Sequence, residues 1–289
     1  MTPRHFGTQT VRFQQRAVAG VFRNVCVLRW PQLLHFAICL MFPRGPNHER
    51  FGMARQKRIQ TPGLLRHVMS RGNGRMRIFL DDSDYRKFQF VLGDVAEVFE
   101  VEVWDFCLMP NHYHLAVCPR RPNLSQAIQR LNGVYAMWWN ARHKRVGHVL
   151  QGRFKDQVVH CDTYLSALCR YIARNPVRAK LVDDPSQWRW SSYRATAGLS
   201  PNPGFLTNEP ILKQFGEGDG TGVRASYRQY VLSQTTEQHE EERFRSKERI
   251  IGDRLFKRQV SRDEVPDALD LRIVPATALA DAGWQSLPV

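Results

Sequence analysis

From Leu64 onward the chain alternates apolar and polar positions in short blocks separated by turn residues. Leu64 to Arg71 reads as a strand, closed by Gly72-Asn73-Gly74. Tyr85, Phe88, Val91, Leu92, Val95 and Phe99 then recur at helical spacing, so Asp81 or Asp82 can cap a helix running to about Glu100. Val101 to Leu108 alternates as a second strand, Pro110-Asn111 makes a turn, and His112 to Cys118 returns as its antiparallel partner. A second helix is predicted from Asn123 or Ser125 to about His143, with Ile128, Leu131, Tyr135, Met137 and Trp138 available for burial. Val149 to Val159 reads as a fourth strand, and a further helix runs from Asp162 to about Asn175. The order β-α-β-β-α-β is that of the ferredoxin-like split unit. The expected fold is therefore α+β: an antiparallel sheet with helices on one face, plus an additional helix after the fourth strand and a helical C-terminal extension.

The flanks differ from this block. Residues 1–52 mix Arg and Gln with a short apolar patch and end in Pro43-Arg44-Gly45-Pro46-Asn47, and Met53-Ala54-Arg55-Gln56-Lys57-Arg58 reads like a fresh start. Residues 1–52 are thus expected to be a disordered or misassigned extension, and 53–198 the main domain. The Gly/Pro/Asn-rich stretch 199–222 reads as a linker, and 223–289 as a charged, helical extension. The longest apolar run, Leu33 to Phe42, is ten residues, against about 20 for a membrane span, so no membrane association is expected. Six cysteines without a C-x-x-C pair fit a reduced, cytoplasmic compartment, with Cys107 and Cys118 as small core residues.

Charge changes the picture. The formal net charge is +15, from 42 Lys+Arg against 27 Asp+Glu, and it is concentrated: Arg120 to Lys180 holds twelve basic residues and only Asp156 and Asp162 as acids. Aromatics interleave with that stretch (Tyr135, Trp138, Trp139, Phe154, Tyr164, Tyr171), a composition suited to single-stranded nucleic acid. Candidate DNA contacts are Arg153, Lys155, Arg170, Arg174 and Arg178.

Candidate chemistry sits in two places. On an extended strand His112 and His114 point the same way, and two imidazoles on one face can hold one metal ion, Mn²⁺ or a similar cation. Tyr113 between them must face the core. Tyr171 and Tyr164 lie two helical turns apart on one face, and spacing does not choose between them as a nucleophile. An ordinary phenol, with a pKa of about 10, needs a nearby cation or base to attack phosphorus, and Arg170, Arg174 and Arg178 flank Tyr171. Asn175 could offer an amide oxygen to the metal; standing before Pro176, it could equally cap the helix. His67 could line the site or be a buried, hydrogen-bonded histidine.

Four motifs in order carry a resemblance: Gly63-Leu64-Leu65-Arg66-His67-Val68-Met69-Ser70-Arg71-Gly72-Asn73; Met109-Pro110-Asn111-His112-Tyr113-His114; Tyr171-Ile172-Ala173-Arg174-Asn175-Pro176-Val177-Arg178-Ala179; and Trp190-Ser191-Ser192-Tyr193. Together they resemble the bacterial REP-associated tyrosine transposases of the single-tyrosine HUH family, IS200-like transposases, from about Met53 to Gly198, with a weaker likeness at Tyr227–Val231 and Ile251–Phe256. The resemblance implies Mg²⁺ or Mn²⁺ on His112 and His114, completed by Asn175, and Tyr171 rather than Tyr164 as nucleophile. It implies cleavage and rejoining of single-stranded or hairpin DNA near repeated palindromes, through a 5′-phosphotyrosine, by a monomer or homodimer. A catalytically silent protein that binds the same repeats is the alternative.

Overall fold

The computed structural model describes residues 58–217, 220–233 and 242–262; the reading of residues 1–52 lies outside them. Four strands, β1 (Arg66–Arg71), β2 (Val101–Met109), β3 (His112–Pro119) and β4 (Lys155–Val159), form a sheet with a fifth, β5 (Ile250–Ile251), in the order β2-β3-β1-β4-β5. β1 runs antiparallel to β3 and β4, and β2 antiparallel to β3, which is the strand order of the ferredoxin-like unit. β5 adds to β4 in parallel, so the sheet is mixed rather than purely antiparallel.

Helices α1 (Asp82–Phe99) and α2 (Leu124–Arg142) cover one face. The Asp81 side chain caps α1, accepting from the Ser83 N–H at 2.9 Å, and Glu100 ends it in the left-handed region with φ 53°. Tyr85, Phe88, Val91, Leu92 and Val95 are buried at the predicted spacing. In α2 the buried row is Ile128, Leu131, Tyr135 and Trp139, whereas Met137 is 60% exposed. Met137 falls off the i, i+4 progression that Trp139 continues. A bulge between Val103 and Asp105 shifts β2 by one residue, so Val101 and Val103 before it and Phe106 and Leu108 after it all enter this core.

The opposite face is covered by α3 (Cys161–Ala173), which the short α4 (Asn175–Arg178) follows, and by α5 (Thr221–Leu232). Leu65, Cys107, Met109, Ala116 and Cys118 from the sheet pack against Leu165, Leu168, Cys169 and Ile172 of α3. The helices thus lie on both faces, with the tyrosine-bearing one apart from α1 and α2.

Two expectations change. The fourth strand is shorter than predicted: Leu150 makes only an isolated bridge to Gly72, and Gly152 at φ 63° breaks the extended run before Lys155. The stretch 199–222 is not a free linker across its described residues. The Thr207 N–H donates to the Val103 carbonyl at 2.8 Å, and Leu206, Ile211 and Leu212 are buried. Its Gly, Pro and Asn residues punctuate turns between apolar anchors, and that composition imitates a linker. The segment Trp190–Ser192 extends the sheet edge: the Leu108 N–H donates to Trp190 and the Ser192 N–H to Phe106, at 2.9 and 3.0 Å. The C-terminal extension does contain helices, α5 and α6 (Arg254–Ser261). Among the described residues no helix is long and apolar enough to cross a membrane.

Candidate functional site

Register decides which side chains share the face under α3. Directly paired residues of antiparallel strands point the same way, and the pairs are Arg71–His112, Met69–His114 and His67–Ala116, with Lys155 opposite Met69 and Gln157 opposite His67. His67, His112, His114, Arg71, Lys155 and Gln157 therefore project from one side. Tyr113 projects from the other into the α1/α2 core, its hydroxyl donating to Asn132 at 2.7 Å.

Tyr171 of α3 meets this face. Its ring stands edge-on to His114 at 5.6 Å and to His67 at 5.7 Å between centroids, and against Phe244 at 5.2 Å. The Arg178 guanidinium lies 4.3 Å over the Tyr171 ring and donates to the Tyr171 carbonyl at 2.6 Å. A buried tyrosine flanked by two imidazoles and a guanidinium all come from one chain. Tyr164, by contrast, faces Arg243, whose Nη1 donates to its hydroxyl at 2.6 Å.

The imidazoles are linked. His67 Nε2 lies 2.9 Å from His114 Nδ1, and His67 Nδ1 lies 3.1 Å from Gln157 Oε1. His112 Nδ1 lies 2.6 Å from Asn111 Oδ1, and the His112 and His114 rings are 5.0 Å apart. Burial pushes His67 down to about 4, partly offset by its Gln157 hydrogen bond. Burial and the Arg71 charge lower His112 to about 4. Burial, then the neighbouring His112, His67, Arg178 and Arg71, hold His114 well below the ordinary imidazole value. At neutral pH all three rings are uncharged, the state in which imidazole binds metals.

With Nδ1 engaged in both His112 and His114, Nε2 is the atom of each that could hold a metal ion, and two neighbouring neutral imidazoles would fit a divalent cation whose other positions take oxygen. Among the described residues no group of three His, Cys, Asp or Glu side chains converges as a complete metal cage. His67 spends its ring on His114. Asn175 begins α4, and its amide nitrogen donates to the Tyr171 and Ile172 carbonyls at 2.9 and 3.4 Å, so it caps the end of α3.

The predicted basic contacts separate into two groups. Arg153 and Lys155 are exposed, and Arg178 borders the tyrosine. Arg170 is only 4% exposed; it stacks over Tyr230 and reaches Ser233 at 3.2 Å. Arg174 donates to the Val231 and Leu232 carbonyls at 3.2 and 3.3 Å. Both fasten α5 to α3, Arg170 from the buried side of the helix and Arg174 from the half-buried position that ends it. Sequence reasoning missed Arg71, Asn111, Gln157 and Phe244. Arg71 and Asn111 stand inside motifs already noted; Gln157 and Phe244 had no local signal.

Residues 61–175, which carry β1 through Tyr171 and Asn175, match the family model of the IS200-like transposases. The chain's structure is similar to that of a REP-associated tyrosine transposase bound to a REP hairpin, at 16% identity and a TM-score of 0.44, over 54% of this chain and 90% of that one. It is also similar to a chain assigned as a transposase from Deinococcus radiodurans R1, at 18% identity and a TM-score of 0.30, over 36% of this chain and 84% of that one. No curated protein matches.

Proposed function

We propose that the protein cuts and rejoins single-stranded or hairpin DNA by transesterification, with Tyr171 as nucleophile. The observation that carries this reading is the meeting of Tyr171 with His114 and His67 on one sheet face, at ring distances of 5.6 and 5.7 Å within a single chain. His112 and His114 would hold a divalent ion, Mg²⁺ or Mn²⁺, through Nε2. When bound, such an ion supplies Lewis-acid polarisation of a phosphate oxygen. Asn175 contributes by holding the end of α3, and hence Tyr171, in place; an oxygen ligand from its amide is the finer expectation.

The Tyr171 phenol oxygen bonds to phosphorus, and the bond from phosphorus to the 3′-oxygen breaks. The leaving strand keeps the electron pair and takes up the proton that the phenol gives up, ending in a 3′-hydroxyl. The other strand end stays on the protein as a 5′-phosphotyrosine. Reversal by another 3′-hydroxyl rejoins DNA with no external energy source, since one phosphodiester replaces another. Arg178 is placed to favour the phenolate and to meet phosphate charge, with Arg71, Arg153 and Lys155 supplying a positive rim. The IS200-like match of residues 61–175 supports the same assignment.

Tyr171→Phe is expected to abolish cleavage and the covalent adduct while leaving hairpin affinity within about twofold. Incubation of both proteins with labelled hairpin and Mn²⁺, followed by a denaturing gel and a binding titration, checks this. A phenylalanine variant that still forms the adduct removes Tyr171 from the reaction. A wild-type protein that binds hairpins but never forms an adduct favours a silent repeat-binding protein.

A further inference from the structure

Two side-chain amides stand behind the histidine pair, and each is oriented by a backbone carbonyl. Asn111 Nδ2 donates to the Arg75 carbonyl at 3.2 Å. Gln157 Nε2 donates to the Glu248 carbonyl at 2.9 Å, with the Ser246 carbonyl at 3.4 Å. A carbonyl accepts and never donates, so the NH₂ end of each amide must face it and the amide oxygen must face the other way. Asn111 Oδ1 then accepts from His112, which places a proton on His112 Nδ1. Gln157 Oε1 likewise requires the proton on His67 Nδ1. That leaves His67 Nε2 as an acceptor, and its only way to bond at 2.9 Å is to receive an N–H from His114 Nδ1. Two independent chains of bonds thus arrive at the same tautomer for both strand histidines.

We infer that Asn111 directly, and Gln157 through His67, are positioning residues that lock His112 and His114 as Nδ1–H tautomers and so leave the Nε2 lone pair of each for a metal ion. The carbonyl behind Gln157 belongs to the C-terminal extension, and β5 holds it there: the Val158 N–H donates to Arg249 and the His160 N–H to Ile251, each at 2.8 Å. The extension, outside the 61–175 match, therefore completes the orientation of a residue within it. Partners that fix the second nitrogen of a ligating imidazole also raise metal affinity, by about 10–100-fold where removal has been tested. That consequence rests on the metal reading above; the tautomer assignment does not.

Long-range ¹H–¹⁵N spectra of the metal-free full-length chain read the tautomers directly, and Mn²⁺ alone titrated into each variant reads the consequence. His67, His112 and His114 are all expected to carry the proton on Nδ1. Gln157→Leu keeps the side-chain volume; it is expected to mix the tautomers of His67 and His114 and to weaken Mn²⁺ binding by about tenfold. Asn111 lies near the surface, so its variants are safe for folding: Asn111→Ala is expected to release His112, and Asn111→Asp, which keeps an acceptor oxygen, to restore the Nδ1–H form. An Nε2–H proton on His112 or His114 in the wild-type chain overturns the assignment. Unchanged tautomers and Mn²⁺ affinity in both Gln157→Leu and Asn111→Ala overturn the positioning role. Wild-type tautomers as assigned, with no Mn²⁺ uptake, support the lock and instead overturn the metal reading.

Discussion

Tyr164 and Tyr171 share one face of α3, yet only Tyr171 of the two meets the histidines edge-on, because the helix passes over the sheet and seven residues is about 10 Å of travel. That difference was out of reach of spacing and came instead from motif resemblance. The His pair was legible, since alternation along a strand is a local property. Gln157 and Phe244 were not, because their meeting with His67 depends on strand register and on a C-terminal segment far from it in sequence. A second residue of interest is Asp105, fully enclosed beside Ser192 and Cys169, where burial pushes its carboxyl up to about 7 from 3.8, with hydrogen bonds from Ser192 and Phe106 pulling it back. The folded chain therefore binds this proton more tightly than the unfolded one. Its contribution to stability is complete below about pH 4 and is lost as pH rises through about 7. Asp105→Asn cannot titrate, so its melting temperature should gain on the wild type between those limits and level off above them. Parallel melting curves across that range give the answer, and a constant gap between the two proteins would contradict it.

At the scale of elements, the strand order followed from counting blocks of alternation, but the edges did not. The fourth strand is shorter than its apolar pattern because Val149 and Leu150 extend that pattern ahead of Gly152, whose φ of 63° breaks the extended run. Residues 199–216 look like a linker because their three buried apolar side chains, Leu206, Ile211 and Leu212, are too sparse to show a period. The Trp190-Ser191-Ser192-Tyr193 motif turns out to be a sheet-edge device. Trp190 stacks on Tyr85 at 4.5 Å, and Ser192 donates to Asp105 while accepting from the Phe106 N–H at 2.8 Å. Ser192→Ala leaves a buried carboxyl and a buried N–H without that partner and should cost about 1–3 kcal/mol, measurable by urea unfolding. A loss well under 1 kcal/mol would mean that water replaces the hydroxyl. Gly72 is also an element-scale requirement. A Cβ there would collide with the Met76 carbonyl oxygen, so the turn after β1 needs glycine for close approach rather than for an unusual dihedral.

For the whole molecule, a net charge of +15 and an exposed rim of Arg71, Arg153 and Lys155 predict hairpin binding dominated by phosphate contacts. The logarithm of the binding constant should fall linearly with the logarithm of salt, with a slope of about −3 or steeper for several neutralised phosphates. Binding insensitive to salt would deny the rim that role. Chelation of divalent ions should stop cleavage and leave most of that affinity. The site of the adduct shows whether Tyr171 becomes covalently joined to DNA. After reaction of the full-length chain with a hairpin and Mn²⁺, nuclease trimming and tryptic digestion, the nucleotide mass should reside on the peptide Tyr171–Arg174, which trypsin separates from the one bearing Tyr164. Adduct on the Tyr164 peptide, or cleaved DNA with no protein-linked product at all, would contradict the account.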